Sequence, residues 1–80
     1  MVRLRLFAVA REIVGAEVLE IELADGATVG ALREAFASRA PAIAHLLPHM
    51  LFAVGNEYAE DGAPIAPNAE VACIPPVSGG

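Results

Sequence analysis

The chain has 80 residues, a formal net charge of −5, no lysine and a single cysteine. That length holds one domain, and a domain this small buries only roughly 60% of the surface its unfolded form exposes, which excludes a core plus a deep enzyme cleft. Apolar residues are 56% of the sequence, 17 of them alanine, enough to exclude disorder, and the acidic balance excludes a nucleic-acid binder, which needs a basic face.

Val2, Leu4 and Leu6 alternate with Arg3 and Arg5, the period of a half-buried strand. Phe7 falls on the arginine side. Ala8 to Val14 reads as a helical turn stopped by Gly15. Val18 to Leu23 alternates again, with Leu19, Ile21 and Leu23 on one face. The two strands are expected as an antiparallel pair in which Leu4 faces Ile21, Arg5 faces Glu20 and Arg3 faces Glu22. Such cross-strand ion pairs are worth about 0.2–1 kcal/mol each.

Asp25-Gly26 is a turn, and Thr28 is an N-cap for a helix opening at Val29. Val29, Leu32, Ala35 and Phe36 make its apolar face, with Arg33 and Glu34 assigned to solvent. Pro41 ends it near Ala40, and Ala42 to Leu47 is a further short turn. Met50 to Val54 is an uninterrupted apolar run expected as a central strand. Gly55-Asn56 and Asp61-Gly62 bracket a weak strand near Tyr58, Pro67-Asn68 is a turn, and Glu70 to Ile74 is the last strand. The order is β, β, α, β, short β, β. The fold class is α+β: a mixed sheet of four or five strands with one main helix packed on one face.

The longest uncharged stretch, Ala40 to Asn56, is 17 residues and holds two prolines and two histidines, which does not suit a membrane span of about 20 apolar residues. With no apolar signal-like run at the start and one cysteine, the expected compartment is the cytoplasm. Cys73 sits mid-strand without a neighbouring cation and reads as a small core residue rather than a nucleophile. His45 and His49 are four apart, but Pro48 between them breaks a shared helical face, so no metal site is expected. Glu57, Glu60 and Asp61 read as a solvated loop.

The end of the sequence is different. Val71 to Gly80 carries no charged side chain. Pro75-Pro76 stiffens the exit from the last strand. Gly79-Gly80 leaves the backbone beside the carboxyl group bare of side chains, so it can thread a narrow channel in another protein.

On these residues the chain resembles the small subunit of molybdopterin synthase, a member of the ubiquitin-like sulfur-carrier family. The matching stretches are Leu6-Phe7-Ala8 with Arg11-Glu12 and Gly15, Thr28-Val29 with Leu32, Ala53-Val54 with Asn56, and Glu70-Val71-Ala72 followed by Pro75-Pro76-Val77-Ser78-Gly79-Gly80. The family often carries aromatic residues where Cys73 and Ile74 stand here. The resemblance implies a β-grasp domain over residues 1–75 and an extended tail over residues 76–80. It implies that an ATP-dependent activating enzyme adenylates Gly80 and that a sulfur donor converts it to a thiocarboxylate. Sulfur then passes to cyclic pyranopterin monophosphate within the large synthase subunit, in a heterotetramer. No permanently bound cofactor is implied. Gly79 and Gly80 would carry the chemistry, and Phe7, Arg11, Ile74, Pro75, Pro76, Val77 and Ser78 would meet the partner. A thiamine-pathway sulfur carrier and a ubiquitin-like covalent protein modifier are the alternatives.

Overall fold

The computed structural model describes residues 1–76. Five strands form one sheet: β1 (Val2–Leu6), β2 (Val18–Ile21), β3 (Leu51–Val54), β4 (Glu57–Ala59) and β5 (Glu70–Ile74), in the order β2-β1-β5-β3-β4. The central pair, β1 and β5, is parallel, and every other pairing is antiparallel. A short helix α1 (Val9–Val14) joins β1 to β2, and the main helix α2 (Val29–Arg39) crosses one face of the sheet. This is the mixed sheet with one main helix expected from the element order, and the β-grasp arrangement that the family resemblance implies.

Alternation in β1 is complete: Val2, Leu4 and Leu6 are buried and Arg3 and Arg5 exposed. They pack with Val71 and Cys73 of β5 and Phe52 of β3 against Val29, Leu32 and Phe36 of α2, all fully or almost fully buried. Thr28 caps α2 as its sequence position predicts, its hydroxyl accepting from the Ala31 amide at 3.2 Å. Gly15 closes α1 at φ 80, a left-handed conformation that costs glycine little. Two 3₁₀ turns, Pro41–Ile43 and Leu47–His49, then carry the chain to β3.

Two expectations are corrected. The β1–β2 register differs by two residues from the one read off the charges: Val2 faces Ile21, Arg3 faces Glu20, Leu4 faces Leu19 and Arg5 faces Val18. The connector sets it, because the Leu6 amide donates to the Glu17 carbonyl at 2.8 Å directly after α1 and Gly15. A shift of two keeps each side chain on its face, so the core is unaffected. Arg5 pairs instead with Glu70 of β5 at 3.4 Å, and β2 stops at Ile21 because its partner Val2 begins β1.

Arg33 is the second correction. It does not stand in solvent but turns inward, with its side chain 20% exposed. Its guanidinium donates to the carbonyls of Leu47 and Met50, pairs with Asp61 at 2.8 Å and lies 4.7 Å over the Phe52 ring. A planar cation with five donors can join a helix, a turn, a strand end and a loop at one point, where an ammonium cannot. The same loop is drawn against the start of α2, since the Gly30 and Val29 amides donate to the carbonyls of Asp61 and Ala63. A side chain at Gly30 would put a Cβ 3.2 Å from the Asp61 carbonyl oxygen, which accounts for glycine there.

Candidate functional site

α2 covers one face of the sheet, and the other face is where large apolar side chains meet solvent. By register, Arg5, Ala72, Ala53 and Tyr58 form one row across that outer face. Ile74 and Leu51, which face each other across β5 and β3, form the next row. Phe7 follows Leu6 and stands beside the end of β5, because β1 and β5 run in the same direction and Leu6 is level with Cys73. Phe7 is 43% exposed, Leu51 41% and Tyr58 67%, and Ile74 is half-buried. A contiguous set of this kind, with Ala53 and Ala72 as its floor, is the composition of an interaction surface.

Strand direction places this patch. β5 is the middle strand and leads directly into Pro75 and Pro76, between Phe7 at the end of β1 and Leu51 at the start of β3. Pro75 and Pro76 therefore lie beside the apolar patch. Phe7 continues the outward side of the β1 alternation, and the chain turns directly after it into α1: Ala8 holds φ 51 and ψ −125, a conformation L-residues rarely adopt.

Arg11 of α1 lies beside this surface, in a shallow cleft of about 140 Å³ that it shares with Arg5, Phe7 and Glu17. Its pairing with Glu17, at 3.7 Å and well exposed on both sides, is loose, and an exposed pair of that kind contributes little to stability. The structure therefore brings together Phe7, Ile74, Pro75 and Pro76, with Arg11 at the margin. Val77, Ser78, Gly79 and Gly80 lie outside the described residues.

Leu51 and Tyr58 belong to this face and are not found by sequence reasoning. Leu51 sits in an uninterrupted apolar run with no alternation to betray it, and Tyr58 in a strand of three residues. The available signal was pairing: once β3 lies beside β5, Leu51 falls opposite Ile74.

Cys73 is fully buried on the core side, and burial pushes its thiol up to about 11 from 9.0, against a smaller opposing pull from Arg33. A thiol held protonated in this way is not a nucleophile at neutral pH. His45 and His49 are exposed, and no cluster of three metal-ligating side chains occurs among the described residues. No helix of the described residues is long and apolar enough to cross a membrane.

A family model described as the ThiS family matches residues 4–80. The chain is 30% identical over 79 residues to the molybdopterin synthase sulfur carrier subunit of Arabidopsis thaliana, an alignment covering 99% of this chain and 82% of that protein. It is 33% identical over 81 residues to the protein of the same name from Chlamydomonas reinhardtii, covering 99% and 98%. Among solved structures it is similar to small archaeal modifier protein 1 of Haloferax volcanii, with a TM-score of 0.85 and 29% identity over 99% of this chain and 98% of that one.

Proposed function

Because the chain belongs to the ThiS family, we propose that it is the sulfur carrier subunit of a molybdopterin synthase, a sulfur-donating partner rather than a catalyst by itself. The observation that carries this reading is that the central strand of the sheet ends in Pro75-Pro76 beside the exposed Phe7 and Leu51 and the half-buried Ile74, and that the sequence after it is Val77-Ser78-Gly79-Gly80. The names of the plant and algal relatives support the pathway.

The chemistry follows from the carboxyl group of Gly80. A carboxylate is a poor electrophile. An ATP-dependent activating enzyme joins it to AMP, releasing pyrophosphate, and the acyl-adenylate then has a good leaving group. A sulfur donor displaces AMP and leaves a thiocarboxylate, whose sulfur is ionised and nucleophilic at neutral pH. Gly79 and Gly80, bare of side chains, let this end enter a closed pocket of the large subunit. There the sulfur is held against cyclic pyranopterin monophosphate, so that transfer proceeds within a complex rather than between diffusing molecules. Two such transfers build the dithiolene.

The folded part, residues 1–75, acts as the grip. Phe7, Ile74 and Leu51 bury against the large subunit, Pro75 and Pro76 aim the tail of residues 76–80, Val77 and Ser78 line the entry, and Arg11 meets a carboxylate of the partner at the rim. A buried aromatic at the centre and charged groups at the rim is the usual division of labour in an interface. The synthase is a heterotetramer with two carriers, and the setting is the cytoplasm.

The likeness to small archaeal modifier protein 1 favours a second reading, in which Gly80 is joined to lysines of other proteins. Reconstitution separates the two. Carrier loaded with sulfur, mixed with the large subunit and cyclic pyranopterin monophosphate, yields the dithiolene on the first reading. On the second it yields none, and Gly80 is recovered in isopeptide linkage. Pairing with a thiazole synthase instead of the large subunit marks the thiamine pathway.

A further inference from the structure

The far edge of the sheet carries a feature that neither the tail nor the apolar patch uses. β4 is an edge strand joined to β3 by the two-residue loop Gly55-Asn56, with Gly55 at φ 64, as the first central residue of a type II′ turn requires. In such a hairpin the closing pair, here Val54 and Glu57, is hydrogen-bonded. By alternation Phe52 and Ala59 are too, and the Tyr58 amide and carbonyl between them point away from β3. Among the described residues neither Tyr58 group enters a turn or loop hydrogen bond.

A groove of about 470 Å³ follows this edge, lined by Val54, Glu57, Tyr58, Ala59, Glu60 and Ala63. Its floor is apolar, from three half-buried residues, Val54, Ala59 and Ala63. Glu57 and Glu60 are exposed at its rim, and neither pairs with a cation among the described residues, whereas neighbouring Asp61 is held by Arg33. Tyr58 stands opposite Ala53 on the outer face, so the edge is continuous with the apolar patch.

We propose that this edge is a second docking strip, which takes an extended, arginine- or lysine-bearing segment of the same protein that covers the sheet face. The segment adds to β4 through the Tyr58 amide and carbonyl, sets small apolar side chains on Val54, Ala59 and Ala63, and places cations against Glu57 and Glu60. A strand of three residues offers too few hydrogen bonds to hold a partner alone, so the strip works with the patch. β4 lies two strands from β5, roughly 10 Å at the usual spacing, well inside an ordinary footprint of about 800 Å² per partner. The acidic rim then sets the orientation of the docked protein and its rate of capture more than its affinity.

The inference rests on the sulfur-carrier reading for the identity of the partner, so the probe is the large synthase subunit from the same source. Wild-type carrier, the double variant Glu57→Lys/Glu60→Lys and the control Glu34→Lys, on the exposed side of α2, are titrated against it at low and moderate salt. The double variant is expected to bind about tenfold more weakly at low salt, with the difference narrowing as salt rises, and the control to bind as wild type. Hydrogen exchange of the Tyr58 amide, measured in the wild-type complex, is expected to slow by about tenfold or more on binding. This second readout decides the matter even if the double variant fails to fold. Equal affinity of a folded double variant, or unchanged Tyr58 exchange in a wild-type complex, overturns the docking strip and leaves the carrier reading standing. No wild-type binding at all overturns both.

Discussion

Phe7→Ala separates docking from folding most sharply. Phe7 is 43% exposed, while Phe36 under the helix is fully buried. A phenylalanine presents roughly 200 Å², so about 85 Å² of Phe7 remains to be covered on docking, worth about 2 kcal/mol at 25 cal/mol per Å². The variant should bind the large subunit about thirtyfold more weakly. The part already covered within the fold is not negligible, so a stability loss of about 1–2 kcal/mol should accompany it. Phe36→Ala, by contrast, should cost about 3–5 kcal/mol of stability and leave the affinity of the folded fraction unchanged. Isothermal titration against the large subunit and a urea melt of each variant measure the two quantities separately. If Phe7→Ala loses as much stability as Phe36→Ala and binds as wild type, Phe7 is a core residue and the outer-face patch is not an interface.

Deleting Gly80, or adding one residue after it, should abolish sulfur transfer in the reconstituted assay while circular dichroism and melting stay at wild-type values. Cys73→Ala should cost about 1 kcal/mol or somewhat more and leave sulfur transfer intact; loss of transfer in a stable variant would reveal a thiol with a chemical role. The Cys73 thiol rises from 9.0 to about 11 on folding, so its contribution is fully present below pH 9 and is lost as the pH climbs through 11. Denaturant midpoints measured across that window should fall in the wild type more than in Cys73→Ala. Arg33→Lys removes a two-pronged contact with Asp61 and cannot reach the Leu47 and Met50 carbonyls together. It should destabilise by about 1–3 kcal/mol, whereas Arg5→Lys on the open face should stay within about 0.5 kcal/mol; equal melts for the two variants would mean that the Arg33 junction contributes nothing.

Most of the fold was legible because each element announces itself locally. Val2, Leu4 and Leu6 alternate without exception, Thr28 precedes an apolar helical stripe, Gly15 and Asp25-Gly26 stop what precedes them, and Pro41 ends α2. The β1–β2 register and the place of Arg33 depart from expectation for one reason: the partner of a charge is not set locally along the chain. The alternation alone sets Arg5 against Glu20 and Arg3 against Glu22, but the register obeys the length of α1 and its glycine stop, and Arg5 finds Glu70 on the strand at its other side. Helical position alone assigns Arg33 to solvent. Its guanidinium folds back over Phe52, and its hydrogen-bond partners lie 14, 17 and 28 residues away. The outer apolar face is half legible for the same reason. Phe7 and Ile74 follow from alternation within their own strands, while Leu51 and Tyr58 depend on which strand lies beside which.

The most direct test is the intact mass of the protein isolated from its native host, with fragmentation to localise any change. The account predicts a fraction of the chain carrying one oxygen-to-sulfur exchange, confined to Gly80, and its conversion to plain carboxylate when the large subunit and cyclic pyranopterin monophosphate are added. Protein found only as the plain carboxylate, or with Gly80 in amide linkage to a lysine of another protein, would contradict it.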